Sequence, residues 1–137
     1  MRFEFEPIGV LHSSTKRLDD VPPQCAESVE EGIIEVFEPF ADGLLGIEKN
    51  KQILVVFVFD RFFGEKASLI QMGRKSSVPR GVFSLCSPHR PNPLGVSVVT
   101  LLRVDGRNLH IRNIDMLDGT PILDIKPFVL AARDKCR

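Results

Sequence analysis

Two strand-like segments, Val96 to Val104 and Asn108 to Ile114, are joined through the dipeptide Asp105-Gly106. Asp-Gly tolerates the positive backbone torsions of a tight reversal, so this stretch predicts an antiparallel hairpin. The rest of the chain is cut to the same pattern. Ten glycines and ten prolines in 137 residues keep its segments short; helical periodicity is almost absent and nothing repeats at a fixed period. The expected class is all-β, as a barrel or as a sandwich, with short helical turns, and periodicity leaves both arrangements open.

Several segments carry specific expectations. Phe3 and Phe5 alternate with Glu4 and Glu6 ahead of Ile8-Gly9-Val10-Leu11, which predicts a first strand with one buried face. Residues 13–24 read as a polar loop closed by Pro22-Pro23, residues 25–31 could form a short helix, and Gly32 to Glu38 reads as a strand ended by Pro39. Asp42 to Gly46 is a turn or one helical turn. The run from Ile53 to Phe59 lacks alternation, which predicts a central strand buried on both faces. Gly64-Glu65-Lys66 turns the chain into residues 67–72, residues 73–80 make a basic loop, and Gly81 to Leu85 alternates briefly.

The totals bound what such a chain is. A length of 137 residues suits one domain over residues 1–137, and 43% hydrophobic against 26% charged residues excludes a disordered composition. The longest apolar run is too short to cross a bilayer, and the acids in Met1 to Glu6 do not fit a signal peptide, so the expectation is a cytoplasmic protein without a membrane span. Cys25, Cys86 and Cys136 lack any C-x-x-C spacing, and His12, His89 and His110 are scattered; reduced structural thiols and no metal are expected. Net charge is zero, but residues 1–60 hold 12 acids and 5 bases (−7) while residues 61–137 hold 6 acids and 13 bases (+7). Either the halves neutralise each other in the fold, or the second offers a basic surface to phosphates.

Two loops stand out chemically. In Ser87 to Gly95, prolines at 88, 91 and 93 fix torsions and remove amide donors, so Arg90 and Asn92 are expected in extended conformations that present their side chains. The same loop also serves as a stiff connection between strands. In Asp115 to Pro127, three carboxylates and Lys126 surround the turn Asp118-Gly119-Thr120-Pro121. Its carboxylate and backbone groups suit ribose hydroxyls or an amino group, although Asx-turn chemistry at Asp118 and an exposed Asp124–Lys126 pair would account for the same residues. Asp60 and Arg61 end the apolar run abruptly, as at a pocket rim or where a strand emerges into solvent. G-x-G-x-x-G after a strand, G-x-x-x-x-G-K-[ST], H-E-x-x-H and G-x-S-x-G are all absent, so phosphate-loop, zinc-protease and hydrolase-elbow readings lack their required parts.

Taken together, Ser87-Pro88-His89-Arg90-Pro91-Asn92-Pro93-Leu94-Gly95-Val96-Ser97 and Leu117-Asp118-Gly119-Thr120-Pro121-Ile122-Leu123-Asp124-Ile125-Lys126-Pro127-Phe128 resemble the two signature stretches of the TsaA/TrmO family. Ile8-Gly9-Val10, Asp42 to Ile47 and Gly81-Val82-Phe83 extend the resemblance over nearly the whole chain. The resemblance implies a small β-barrel that forms a homodimer and binds S-adenosylmethionine near the subunit interface. It also implies methylation of N6 of threonylcarbamoyladenosine beside the anticodon of tRNA. By position, cofactor contacts fall on Pro22, Pro23, Gln24, Asp60, Arg61, Cys86 and Val96, and on the turn Leu117, Asp118, Gly119, Thr120 and Pro121, while Arg90 and Asn92 are cofactor candidates as side chains presented by the proline-rich loop. Cys86 stands where the family usually has an arginine, and Asp60 where a histidine commonly ends the central strand.

Methyl transfer needs an in-line acceptor and a modest proton acceptor, and Asp118, Asp60 or water are the candidates for the latter. tRNA phosphates would be met by Arg74, Lys75, Arg80 and Lys126, with Arg103, Arg107 and Arg112. In a chain with no Trp or Tyr, base stacking falls to one of the ten Phe residues or an arginine plane; Phe62, Phe63 and Phe83 flank the candidate pocket, where core packing would equally account for them. Two other functions stay open: S-adenosylmethionine binding without tRNA methylation, and methylation of a protein or small molecule.

Overall fold

The computed structural model describes residues 1–14, 30–73 and 77–129. The expectations for Pro22, Pro23, Gln24, Cys25, Arg74, Lys75 and Cys136 lie outside those residues. Eight strands are formed: β1 (Gly9–His12), β2 (Glu31–Val36), β3 (Gln52–Val58), β4 (Ile70–Met72), β5 (Pro79–Gly81), β6 (Leu94–Asp105), β7 (Asn108–Arg112) and β8 (Pro121–Pro127). Six of them close an antiparallel barrel in the order β1-β2-β7-β6-β3-β8, while β4 and β5 make a separate two-stranded ribbon. Closure decides between the two architectures left open above, and it leaves the six strands without a free edge.

The hairpin expected around Asp105-Gly106 forms as β6 and β7, with Asp105 opposite Asn108 and Gly106 at φ 61°. One extra residue lies between Leu101 and Arg103 on β6, and another shift falls between Val56 and Phe57 on β3 where it meets β8. Such bulges supply the local bending a small closed sheet needs.

Inward residues meet in one core. Leu11, Ile34, Ile53, Val55, Val99, Leu109, Ile111 and Ile122 have no exposed surface, and each contributes about 1.5–3 kcal/mol by leaving water. Gly9 and Gly95 mark the closest approaches: a Cβ on Gly9 would meet the Glu35 carbonyl, and one on Gly95 would meet the Phe57 ring.

Four local expectations need correction. β1 begins at Gly9 and Phe3 and Phe5 are exposed, because β2 offers partners only as far as Val36, opposite Gly9, before the chain turns into a 3-10 helix at Glu38–Leu44. That turn also shortens the strand expected to run to Glu38, with Pro39 in its first positions. β3 alternates between buried and half-buried positions rather than being covered on both faces, since a strand of a closed barrel turns one face into the core and the other outward. Gly81 to Leu85 is not a strand: β5 ends at Gly81 and Val82–Ser84 is a 3-10 turn. Within residues 25–31 the described part is extended, with Glu31 already in β2. Among the described residues no helix is long and apolar enough to cross a membrane.

Candidate active site

Antiparallel strands send successive connections to alternate ends of the barrel. The connections β1–β2, β3–β6 and β7–β8 therefore leave and re-enter at one end, framed by His12, Glu31, Val58, Leu94, Arg112 and Pro121. Every cofactor candidate among the described residues lies in these connections or at the strand ends beside them. Lys126 does not. It sits six residues along β8 from Thr120, about 20 Å away at 3.3 Å per residue. Its amine is 2.8 Å from Asp124 Oδ2; that hydrogen bond, and then the carboxylate's charge, raise Lys126 above the ordinary lysine range.

The Asp118 turn is sewn to the end of β1. Ser13 donates its backbone N–H to Asp118 Oδ1 at 2.9 Å, Gly119 N donates to Leu11 O at 2.8 Å, and Leu11 N donates to Thr120 O at 3.0 Å. The Thr120 hydroxyl donates to Leu117 O at 2.6 Å, and Gly119 takes φ 82°, a conformation that favours glycine. Asp118 is thus a half-buried carboxylate spanning two connections rather than a local Asx turn. Below it, the buried Ser97 hydroxyl donates to Asp115 Oδ1 at 2.6 Å, and Asn113, at φ 69°, reaches Thr100 Oγ1 with its amide at 3.1 Å.

The proline-rich loop behaves differently from the expectation for Arg90. The guanidinium turns back to donate to Leu85 O at 2.9 Å and Ser87 O at 3.1 Å. Prolines supply carbonyls without matching donors, and a five-donor fork satisfies that surplus. Asn92 is exposed, its carbonyl accepting from Leu94 N at 2.7 Å, and Cys86 is an exposed free thiol rather than a packed structural one. Val96 projects from the outer face of β6, 61% exposed.

A cluster that sequence reasoning missed sits against this loop. His89 Nδ1 lies 3.1 Å from Glu65 Oε2, and the imidazole meets the edge of Phe62 with ring centres 4.6 Å apart. The Gln71 side-chain amide bridges Ser68 O and His89 O, tying β4 to the same loop. Separations of 24 and 18 residues leave no local pattern by which Glu65 or Gln71 could have been paired with His89. Of the stacking candidates, Phe63 and Phe83 are 74% and 83% exposed, whereas Phe62 is committed to His89. Arg80 is exposed on β5, while Arg107 donates to Val36 O at the opposite end of the barrel.

The half-buried Asp118 carboxylate at this barrel end suits a ligand with hydroxyls or an amino group to donate. Of two recesses, one of about 380 Å³ borders this end through His12, Ser13 and Glu31 and runs along the wall to His110, and one of about 300 Å³ lies beside Phe40 and Leu44 of the 3-10 helix. Neither includes a residue of the Asp118 turn or the proline-rich loop.

The family model described as the tRNA-methyltransferase O N-terminal domain matches residues 10–134. The chain belongs to that family. Among its relatives, a probable S-adenosyl-L-methionine-binding protein of Pyrococcus abyssi is 42% identical over 91% of this chain and 67% of its own length. An S-adenosyl-L-methionine-binding protein of Archaeoglobus fulgidus is 39% identical over 90% of this chain and 87% of its own. The human tRNA (adenine(37)-N6)-methyltransferase is 35% identical over 90% of this chain but only 30% of its own length. A crystal structure of TrmO superposes with a TM-score of 0.80 at 32% identity, over 97% of this chain and 60% of that one. The TrmO-family barrel described here therefore spans about three fifths of the solved TrmO chain and under a third of the human relative.

Proposed function

We propose that this chain binds S-adenosylmethionine at the barrel end formed by the Asp118 turn and the proline-rich loop, and transfers its methyl group to N6 of threonylcarbamoyladenosine beside the anticodon of tRNA. The observation that carries the reading is the Ser13–Asp118 hydrogen bond with its two flanking backbone bonds, which lock the second signature stretch against the end of β1. Family membership supports it, as do relatives named for S-adenosylmethionine binding and for tRNA adenine methylation.

The cofactor supplies an electrophilic methyl group on a sulfonium. Asp118, with Oδ1 held by Ser13, offers Oδ2 to ribose hydroxyls or an amino group, and Leu117 and Pro121 flank it. Asp60 and Arg61, Cys86, Asn92 and Val96 complete the wall, with Pro22, Pro23 and Gln24 carried over from the family pattern. Arg90 acts from behind by fixing the loop's carbonyls. Exposed Arg80 meets tRNA phosphate, joined by Arg74 and Lys75, and exposed Phe63 or Phe83 stacks on a base.

We place this work in a homodimer built on one domain per chain. Leu69, Ile70, Met72 and Val78 are all at least 60% exposed on and around the β4–β5 ribbon, an apolar cluster that isolated surface residues do not explain. Sedimentation of Ile70→Glu/Met72→Glu should give a monomer where the native chain sediments as a dimer; a native monomer at micromolar concentration removes the dimer.

Calorimetry with S-adenosylmethionine followed by mass spectrometry of tRNA nucleosides tests the function. Expected results are saturable heat and the appearance of a methylated threonylcarbamoyladenosine. Heat without that product would favour the second reading, a binding protein, which the binding-only names of the archaeal relatives support. No heat at millimolar cofactor would remove both.

A further inference from the structure

We propose that His89, oriented by Glu65, takes the proton from the acceptor nitrogen during methyl transfer. The proposal rests on the methyltransferase reading above and assigns a group that the family resemblance did not supply. A carboxylate can only accept, so the 3.1 Å contact requires the proton to sit on His89 Nδ1. In the neutral imidazole Nε2 is then a bare acceptor, and the described residues give it no hydrogen-bond partner. The ring is held on three sides: by Glu65, by the edge of Phe62, and by a backbone whose carbonyl accepts from Gln71 and whose N–H donates to Ser87 Oγ at 3.2 Å. Pro88 and Pro91 stiffen the chain on either side. Phe62 belongs to the turn Asp60–Phe62 and His89 to the first signature stretch, so the pair joins the two parts of the β3–β6 connection that carry cofactor candidates. The imidazole is half exposed, at 52%, and accessible to a large acceptor.

Asp118 is less suited to the task. One of its oxygens already receives Ser13 N–H, whereas an oriented imidazole is the side chain that exchanges protons most readily near neutral pH. The step balances as follows. The N6 lone pair forms the new N–C bond, the methyl–sulfur bond breaks with its electron pair going to sulfur, and the N6 proton passes to His89 Nε2. The imidazolium is stabilised by the Glu65 carboxylate and returns its proton to water. His89 is the catalytic residue and Glu65 a positioning residue.

The test is single-turnover transfer of labelled methyl from S-adenosylmethionine to tRNA carrying threonylcarbamoyladenosine, using the full chain. His89→Ala should slow transfer about 100-fold while cofactor affinity by calorimetry stays within about twofold, and added imidazole should restore about tenfold of the lost rate. Glu65→Ala should slow transfer roughly tenfold, with Glu65→Gln recovering most of it because its amide oxygen still accepts from Nδ1–H. In the cofactor-free protein, nitrogen NMR of the imidazole should show the Nδ1–H tautomer in the native chain and its loss in Glu65→Ala. Transfer by His89→Ala at the native rate, a loss that imidazole does not relieve, or an Nε2–H tautomer in the native chain overturns the assignment and leaves the methyltransferase reading intact. A native chain that binds cofactor yet transfers nothing to this tRNA overturns both.

Discussion

Gly9→Ala is expected to cost about 3 kcal/mol or more, a large part of the stability of a domain this size, and to lower the thermal midpoint by roughly 10 °C. The added Cβ would run into the Glu35 carbonyl oxygen, with the Glu35 carbonyl carbon at 3.2 Å and Val36 Cα at 3.3 Å. All three are main-chain atoms of β2, so no rotamer change relieves the clash. β2 is itself pinned on its other side by five residue pairs with β7, from Glu31–Arg112 to Glu35–Asn108. Relief therefore has to come from opening the β1–β2 seam. That seam matters because β1 is joined to β8 by only two pairs, Gly9–Ile122 and Val10–Pro121. The internal control is Gly43→Ala, where a new Cβ meets nothing within 4 Å; its midpoint should stay within about 2 °C of native. Circular-dichroism melts of both variants decide the matter, and equal midpoints would show that the barrel closes more loosely here than the register implies.

Asp118→Ala should weaken S-adenosylmethionine binding at least about tenfold and also lower stability, whereas Asp118→Asn should weaken binding with stability close to native. Alanine removes the Asp118 oxygen that accepts the Ser13 N–H, a loss of about 1–3 kcal/mol if the group stays buried. Asparagine keeps an oxygen for Ser13 but removes the charge and replaces Oδ2, the ligand-facing acceptor, with an amide donor. Comparing the two by calorimetry and thermal melting thus separates the carboxylate's structural bond from its ligand contact. If Asp118→Asn binds and methylates like the native chain, Asp118 is a structural residue and the cofactor is held by other groups of this barrel end.

Some of this was legible locally. The Asp105-Gly106 reversal needs only a tight turn between two strands, and Gly106 at φ 61° supplies it. The stiffness of residues 88–95 follows from proline chemistry. Errors arose wherever an element's fate depended on a partner. Phe3 and Phe5 alternate as a strand should, but β2 turns away before it can pair with them. The apolar run of β3 reads as doubly buried, yet β-branched residues also serve on a half-exposed barrel exterior. Arg90 reads as presented because the prolines around it are rigid; in the folded chain it is consumed by the carbonyls those prolines leave over.

By itself the sequence determined the strand-rich class, the central hairpin, the two rigid or tight turns and the family they resemble, because each depends on torsions and spacings within a few residues. Only the tertiary structure decided that the strands close into a six-stranded barrel, that Asp118 is bound to Ser13 from 105 residues away, and that Lys126 belongs to the other end. It alone brought Glu65 and Phe62 onto His89. The reason is physical: antiparallel closure assigns connections to alternate ends regardless of their distance in the chain, so residues meet by strand order, which no local pattern encodes.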